Sequence, residues 1–296
     1  MNGRPNNRKQ HPVNERPVAR MPALHHYLRQ LRDEPPKLSR KMVFDRTGIS
    51  EIYLRQLEKG DRHPSAEMIG KLIAAYQLSP AQVRYIHELL APAIPLVPRN
   101  TLRDHLDRTP VLIDQLSALD VRGVLAVYTD PIGSVLAMNK SMSRTFAGLE
   151  ETGNMLLWWL GPTAKQIILD WEPDTDFMVG SFKVSLGRHR TSPAANHLFR
   201  DLRRYKAFTQ RWLTSTFVAY DRATTEPLRL RRPFDGAEFT ATIHRTDITD
   251  SRQIILHTLY PTLTNTALRG ARTRLRSSSL GTQGNCSSNS CTGARM

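Results

Sequence analysis

The sequence predicts an all-α N-terminal unit of five short helices followed by a larger α+β unit, and three observations carry that expectation. Apolar residues recur at helical spacing through residues 21–91. The next stretch, APAIPLVPRN over residues 91–100, holds three prolines and cannot continue a helix, so residues 92–100 read as a linker. Beyond it the period shortens to β-branched runs, GVLAVYT and GSVLAM, and the chain returns at FTATIHRTD and RQIILHTLYP, a closing β-hairpin. A chain of 296 residues exceeds the usual single-domain size, which accommodates two cores.

Along the first unit the apolar stripes are Leu24, Leu28 and Leu31, then Met68, Leu72 and Ala75, then Val83, Ile86 and Leu90. Ser39, Ser50, Ser65 and Ser79 each stand just before a periodic run, where a hydroxyl satisfies a free helical amide. The second unit, residues 101–263, carries strands near its start and end. Between Asn154 and Thr216 lies a helical insert with the segments MLLWWL, TAKQIILDW and AANHLFRDLRRY.

The net charge of +15 is concentrated at the ends, with +4 in residues 1–20 and +5 in residues 264–296. Both ends lack periodicity and apolar content, so they are expected to be disordered tails. Such tails suit salt-sensitive phosphate contacts or simply remain solvated. Cys286 and Cys291 sit in the second tail, where neither a disulfide nor a zinc site is expected. The N-terminus lacks the apolar core of a secretory signal, and no stretch reaches membrane-spanning length, so a cytoplasmic protein without membrane contact is expected. The basic region of residues 188–232 follows an acidic stretch with Asp170, Glu172, Asp174 and Asp176. Flanking DNA contact, ion pairing within or between chains, and solvated faces all fit that pattern.

Residues 39–65, SRKMVFDRTGISEIYLRQLEKGDRHPS, carry the chemistry. Ser39 caps one helix, Thr47-Gly48-Ile49 makes a tight turn, and Ser50 caps the next helix. Ile49, Leu54 and Leu57 pack the second helix on the first through Val43, and Gly60 with Pro64 ends it. Glu58 suits a structural cap or ion pair better than a base contact. The outward face beginning with Glu51, Ile52 and Arg55 or Gln56 is left free to meet base edges in double-stranded DNA.

The order TG-I-S, L-x-x-L-E-x-G and P-S resembles the Cro/cI-like helix-turn-helix regulators of the XRE family over residues 22–91. That resemblance implies base contacts from Glu51, Ile52 and Gln56, and a backbone-phosphate contact from Arg40. Ser50, Arg55 and Lys59 complete the expected DNA-facing set. Glu51 and Ile52 suit cytosine amino and thymine methyl groups respectively. Phe44 stands where the family usually has a small residue, which would widen the angle between the helices.

The second unit resembles the MmyB-like regulators through VLAMNKSM with Asn139, GNMLLWWLGPTAKQIILDWE and IILHTLYP, in that order. The resemblance implies a PAS-like domain, a curved antiparallel sheet packed by helices around an apolar cavity for a lipophilic small molecule. Tyr128, Met138, Trp158, Trp159, Trp171 and Phe177 are the candidate walls, with Asn139 or Trp212 as a polar edge, although for any one of them a place in the core is the commoner use of such a side chain. A homodimer whose two heads read half-sites about 34–36 Å apart, tuned by that ligand, is the expected form. A ligand-free dimerisation or partner-docking module is the alternative.

An enzyme is not expected. The chain has no G-x-S-x-G elbow, H-E-x-x-H helix, Walker loop or dinucleotide glycine pattern, and neither a cofactor nor a metal is implied. His189, His197, His244 and His257 are scattered.

Overall fold

The computed structural model describes residues 19–248 and 251–263. Most of the expected N-terminal tail, and all of the C-terminal one with Cys286 and Cys291, lie outside the described residues. The chain divides into two units, Met1–Leu96 with Thr175–Tyr220, and Val97–Asp174 with Asp221–Met296.

The first unit opens with α1 (Leu24–Asp33), α2 (Arg40–Thr47), α3 (Glu51–Lys59), α4 (Ala66–Tyr76) and α5 (Pro80–Leu90). Each helix from α2 to α5 begins where the sequence places its cap. Ser39 accepts from the Met42 amide at 3.1 Å, Ser50 from Tyr53 and Ser65 from Met68 at 3.2 Å, and Ser79 from Gln82 at 3.3 Å. Gln82 answers by accepting from the Ser79 amide at 2.9 Å, closing a capping box. Gly48 (φ 72°) and Gly60 (φ 86°) end α2 and α3 in the left-handed region that glycine enters without steric cost. Leu28, Val43, Ile49, Leu54, Leu57, Ile69, Leu72 and Ile86 then meet in one buried cluster.

The second unit runs α6 (Arg99–Asp107), α7 (Pro110–Val121), β1 (Leu125–Thr129), β2 (Val135–Met138), α8 (Lys140–Thr145), α9 (Leu149–Thr152), α10 (Met155–Trp159) and α11 (Pro162–Ile167). It enters α12 (Trp171–Arg188), leaves the chain to the first unit, and resumes with β3 (Leu228–Arg231), β4 (Glu238–Ile248) and β5 (Ser251–Leu263). The strands form an antiparallel sheet of order β2-β1-β5-β4-β3, so the unit is α+β. Ala126 and Tyr128 of β1 lie with Ile254 and Leu256 of β5 against Leu102, Leu106 and Leu116 of α6 and α7. The alternate residues Leu125, Val127 and Thr129 are buried as well, on the opposite face, because side chains alternate along a strand. TAKQIILDW does not make one helix. Ile168 leaves α11 to bridge Leu230 of β3, and the Leu169 amide donates to the Arg229 carbonyl at 3.0 Å, so the β-branched pair Ile167-Ile168 is where helix gives way to extended chain.

His257 pairs across the sheet with Arg245, and its Nε2 stands 3.0 Å from the Thr129 hydroxyl. Desolvation, helped by the Arg245 charge, pushes the imidazole down from 6.5 to about 3. Below pH 6.5 the unfolded chain takes up a proton that the folded chain refuses. Stability should therefore fall as pH drops from 6.5 toward 3. Urea unfolding at neutral pH and near pH 5 checks this, and a His257→Gln variant should show the shallower loss.

The chain segment 175–220 completes the first unit with the rest of α12, α13 (Pro193–Leu202) and α14 (Lys206–Thr214). Val184 and Val218 join the buried cluster of the N-terminal helices. The Tyr27 hydroxyl donates to the Thr216 carbonyl at 2.9 Å and the Tyr85 hydroxyl to the Lys183 carbonyl at 3.1 Å. The proline-rich stretch after α5 is extended, and its groups are also engaged. The Ile94 amide donates to the Arg188 carbonyl at 2.8 Å, and the Leu96 amide to the Ser192 hydroxyl at 3.0 Å.

Candidate functional site

On α3 the side chains divide cleanly. Leu54, Leu57 and Glu58 are buried, whereas Ile52, Arg55, Gln56 and Lys59, spaced as neighbours on one helical face, stand exposed or half-buried. Glu51 is exposed in the first turn, where its charge also suits the helix dipole. Ile52 is 68% exposed. Ser50 accepts a capping amide through its oxygen and keeps its hydroxyl proton for an acceptor such as phosphate. Val43, fully buried, makes the α2 contact with the core; Phe44 is 46% exposed and points away from it. The widening expected of Phe44 therefore has no steric basis.

Arg40 sits at the first position of α2, and its position is fixed by a buried acid. Glu58, with 2% of its side chain exposed, accepts from Arg32 Nε at 2.5 Å and from Arg40 Nη2 at 2.6 Å and Nε at 3.1 Å. Arg32 also donates to the Leu38 carbonyl at 3.1 Å. One carboxylate thus ties α1, α2 and α3 together. The guanidinium of Arg40 has five donors, and its Nη1 has no partner among the described residues, so the group remains able to grip a phosphate oxygen while its other edge is held. Sequence reasoning treated Glu58 as a cap or ion-pair partner and missed Arg32. The signal was a charged residue at position i+4 from Leu28, on the apolar stripe.

The residues expected to line a ligand cavity fall into separate groups. Trp158, Trp159 and Trp171 lie in succession: Trp158 and Trp159 rings are 6.4 Å apart, and the Trp171 indole donates to the Trp159 carbonyl at 2.9 Å. The Trp158 indole donates to the Ala147 carbonyl at 2.8 Å. Tyr128 belongs to the α6–α7 face of the sheet, its hydroxyl bonded to Gln115 at 2.8 Å. Met138 pairs with Val127 and shares its face of the sheet. Phe177 and Trp212 lie in the first unit, where the Trp212 indole donates to the Arg20 carbonyl at 3.0 Å and its ring packs on Phe199 and Phe208.

Asn139 is a brace. Its carbonyl oxygen accepts from the Ala126 amide at 3.2 Å and the Met142 amide at 2.9 Å, capping α8, while its amide donates to the carbonyls of Val124 at 2.8 Å and Leu116 at 3.4 Å. Asn139→Ala leaves the buried Ala126 amide and the α8 cap unmet, and should lower stability by about 2–4 kcal/mol in urea unfolding.

The basic region after residue 188 is largely paired. Arg211 meets Asp176, and Arg222 meets Asp174, both at 2.6 Å; Arg229 meets Asp170 at 3.1 Å; Arg188 meets Glu88 at 2.5 Å. Three of these pairs, those of Arg211, Arg222 and Arg229, join the basic region to the acidic stretch within the chain. Among the described residues no helix is long and apolar enough to cross a membrane, and no group of three metal-ligating side chains converges.

A capped two-helix element with an exposed second helix has the layout of the helix-turn-helix of DNA-binding transcription regulators. Residues 28–83 match the helix-turn-helix family model, and residues 118–269 match the model described as MmyB-like transcription regulator ligand binding domain. The second match covers half of the sequence, and the protein belongs to the MmyB-like transcription regulators. No curated protein matches the chain.

Proposed function

We propose that the protein binds a two-fold related operator as a homodimer and that a small apolar molecule in its C-terminal region alters operator affinity. The observation that carries the DNA half is the pairing of an exposed α3 face with an arginine locked beside it by Glu58. Glu51, Ile52, Arg55 and Gln56 face bases in this reading, and Arg40, Ser50 and Lys59 face phosphates. One such helix reads only a few base pairs, so affinity for a genomic site calls for two heads. The ligand half is supported by the family description of residues 118–269 and by the concentration of tryptophan at Trp158, Trp159 and Trp171.

Fluorescence anisotropy with a single half-site and with two half-sites one helical turn apart tests the dimer. The paired site should bind at least about 100-fold more tightly; equal affinity would leave a monomeric reader. A second reading, in which the C-terminal region docks a partner without a ligand, is favoured by how fully Asn139 and the Trp158 and Trp171 indoles are occupied inside the fold. Native mass spectrometry separates the two: a copurifying apolar molecule supports the effector, and a bare protein whose melting temperature no apolar compound raises supports docking.

A further inference from the structure

Lys183, on α12 within the first unit, is 4% exposed and forms no ion pair among the described residues. Its ammonium donates to the Ser215 carbonyl and stands 5.7 Å from the centre of the Trp212 ring. Only the Glu34 charge favours this ammonium, from beyond ion-pair distance, and a buried cation so weakly compensated is costly. Here a cavity of about 550 Å³ lies beside it, bounded by α1, residues 20–23 and the end of α14. That volume falls within the range of small-molecule sites.

The two acids in the wall, Asp33 and Glu34, offset only part of the charge of Arg20, Arg29 and Lys183. Glu34 accepts from the Thr216 hydroxyl, and Asp33 is held by Arg32 at 2.9 Å and Arg29 at 3.7 Å. Arg20 and Arg29 add positive charge to the lining, while Tyr27, Tyr85 and Trp212 supply aromatic surface. Cations left over around an aromatic-walled space call for an anion on an aromatic body.

We propose that this cavity is an effector site for a small aromatic carboxylate, whose carboxylate pairs with Lys183 and whose ring lies against Trp212 and the two tyrosines. Burial, only partly offset by Glu34, holds the Lys183 ammonium down at about 8, the direction an unneutralised cation takes and the one a bound carboxylate would reverse. The site is distinct from the one for an apolar molecule proposed above, and only its regulatory consequence rests on the DNA-binding half of that reading. That consequence has a short physical route. Helix α1 supplies Tyr27, Asp33 and Glu34 to the wall and also carries Arg32, which grips Asp33 on one side and Glu58 on the other; Glu58 in turn holds Arg40. An occupant that shifts α1 shifts the phosphate anchor.

The test titrates the full-length protein with 2-naphthoate and with the neutral 2-naphthamide, by calorimetry and saturation-transfer NMR, for wild type, Lys183→Met and Lys183→Gln. Wild type should prefer the acid by about tenfold or more, and both variants, folded by near-ultraviolet circular dichroism, should lose that preference. Lys183→Met should melt no lower than wild type, since it removes an unpaired buried charge. Equal binding of acid and amide by wild type, a preference that survives in a folded variant, or no binding of either at about 1 mM overturns the site. Should both variants fail to fold, the acid-against-amide comparison in wild type decides alone. If naphthoate binds through Lys183 and operator affinity stays unchanged, the site stands and its regulatory consequence is refuted.

Discussion

Glu58→Ala is expected to destabilise the DNA-binding unit by about 3–5 kcal/mol and to abolish specific DNA binding even under conditions where the variant still folds. The first effect follows from burial. Arg32 has 10% of its side chain exposed, and without Glu58 its charge keeps only the Leu38 carbonyl and the half-exposed Asp33. Removing one member of such a pair leaves a desolvated charge behind, which costs far more than the pair itself contributes. The second effect follows from geometry: Arg40 loses the carboxylate that orients it, and α1, α2 and α3 lose their shared tie. Glu58→Gln keeps the shape and some hydrogen bonds, so it should fall between the two. Urea unfolding and anisotropy on the same samples separate stability from recognition. An alanine variant within about 1 kcal/mol of wild type would mean that the bridge behaves as a surface pair.

A chain stopped at residue 96 is expected to melt well below the full-length protein or not to fold cooperatively at all. The cluster around Leu28, Leu54 and Ile86 includes Val184 and Val218 from the returning segment, and their loss removes about 1.5–3 kcal/mol of burial apiece. Against a typical total of about 5–15 kcal/mol that is a large share. Tyr85 would also lose its seat: a Cβ on Gly187 would lie 2.8 Å from its ring, which shows how closely α12 approaches. Circular dichroism melts of the short chain and of the full-length protein decide the matter, and equal, cooperative transitions would show that the N-terminal helices need nothing beyond themselves.

What was legible in the sequence was local. The serine caps, the Gly48 and Gly60 stops and the stripe on α3 involve residues within a few positions of one another, so spacing alone places them. The β4–β5 hairpin was legible for the same reason. The pairing of residues 175–220 with the N-terminal helices was not, because contacts such as Tyr27 with Thr216 join residues 189 positions apart and leave no periodic trace. Nor was the full length of α12, whose WEPDTDFMVGSFKVSLGR mixes acids and glycines into a weakly amphipathic run. The capping role of Asn139 is not legible either, since one asparagine before a helix looks the same in sequence whether it caps or binds. The two charges that matter most inside the first unit, Arg32 and Lys183, occupy apolar phases of their helices, and only burial distinguishes them from their solvated neighbours.

The most direct test of the central claim is selection of bound sequences from a random duplex pool by the purified protein, compared with an Arg40→Ala, Gln56→Ala double variant over a range of salt. Sequence-specific regulation through α3 requires wild type to recover a two-fold related motif that the variant loses, with base discrimination worth about 1–3 kcal/mol at the position Gln56 reads and a salt slope lowered by about one through loss of the Arg40 phosphate contact. Identical recovery by both proteins, with binding that merely fades as salt rises, would contradict the account and transfer the DNA affinity to the basic ends of the chain.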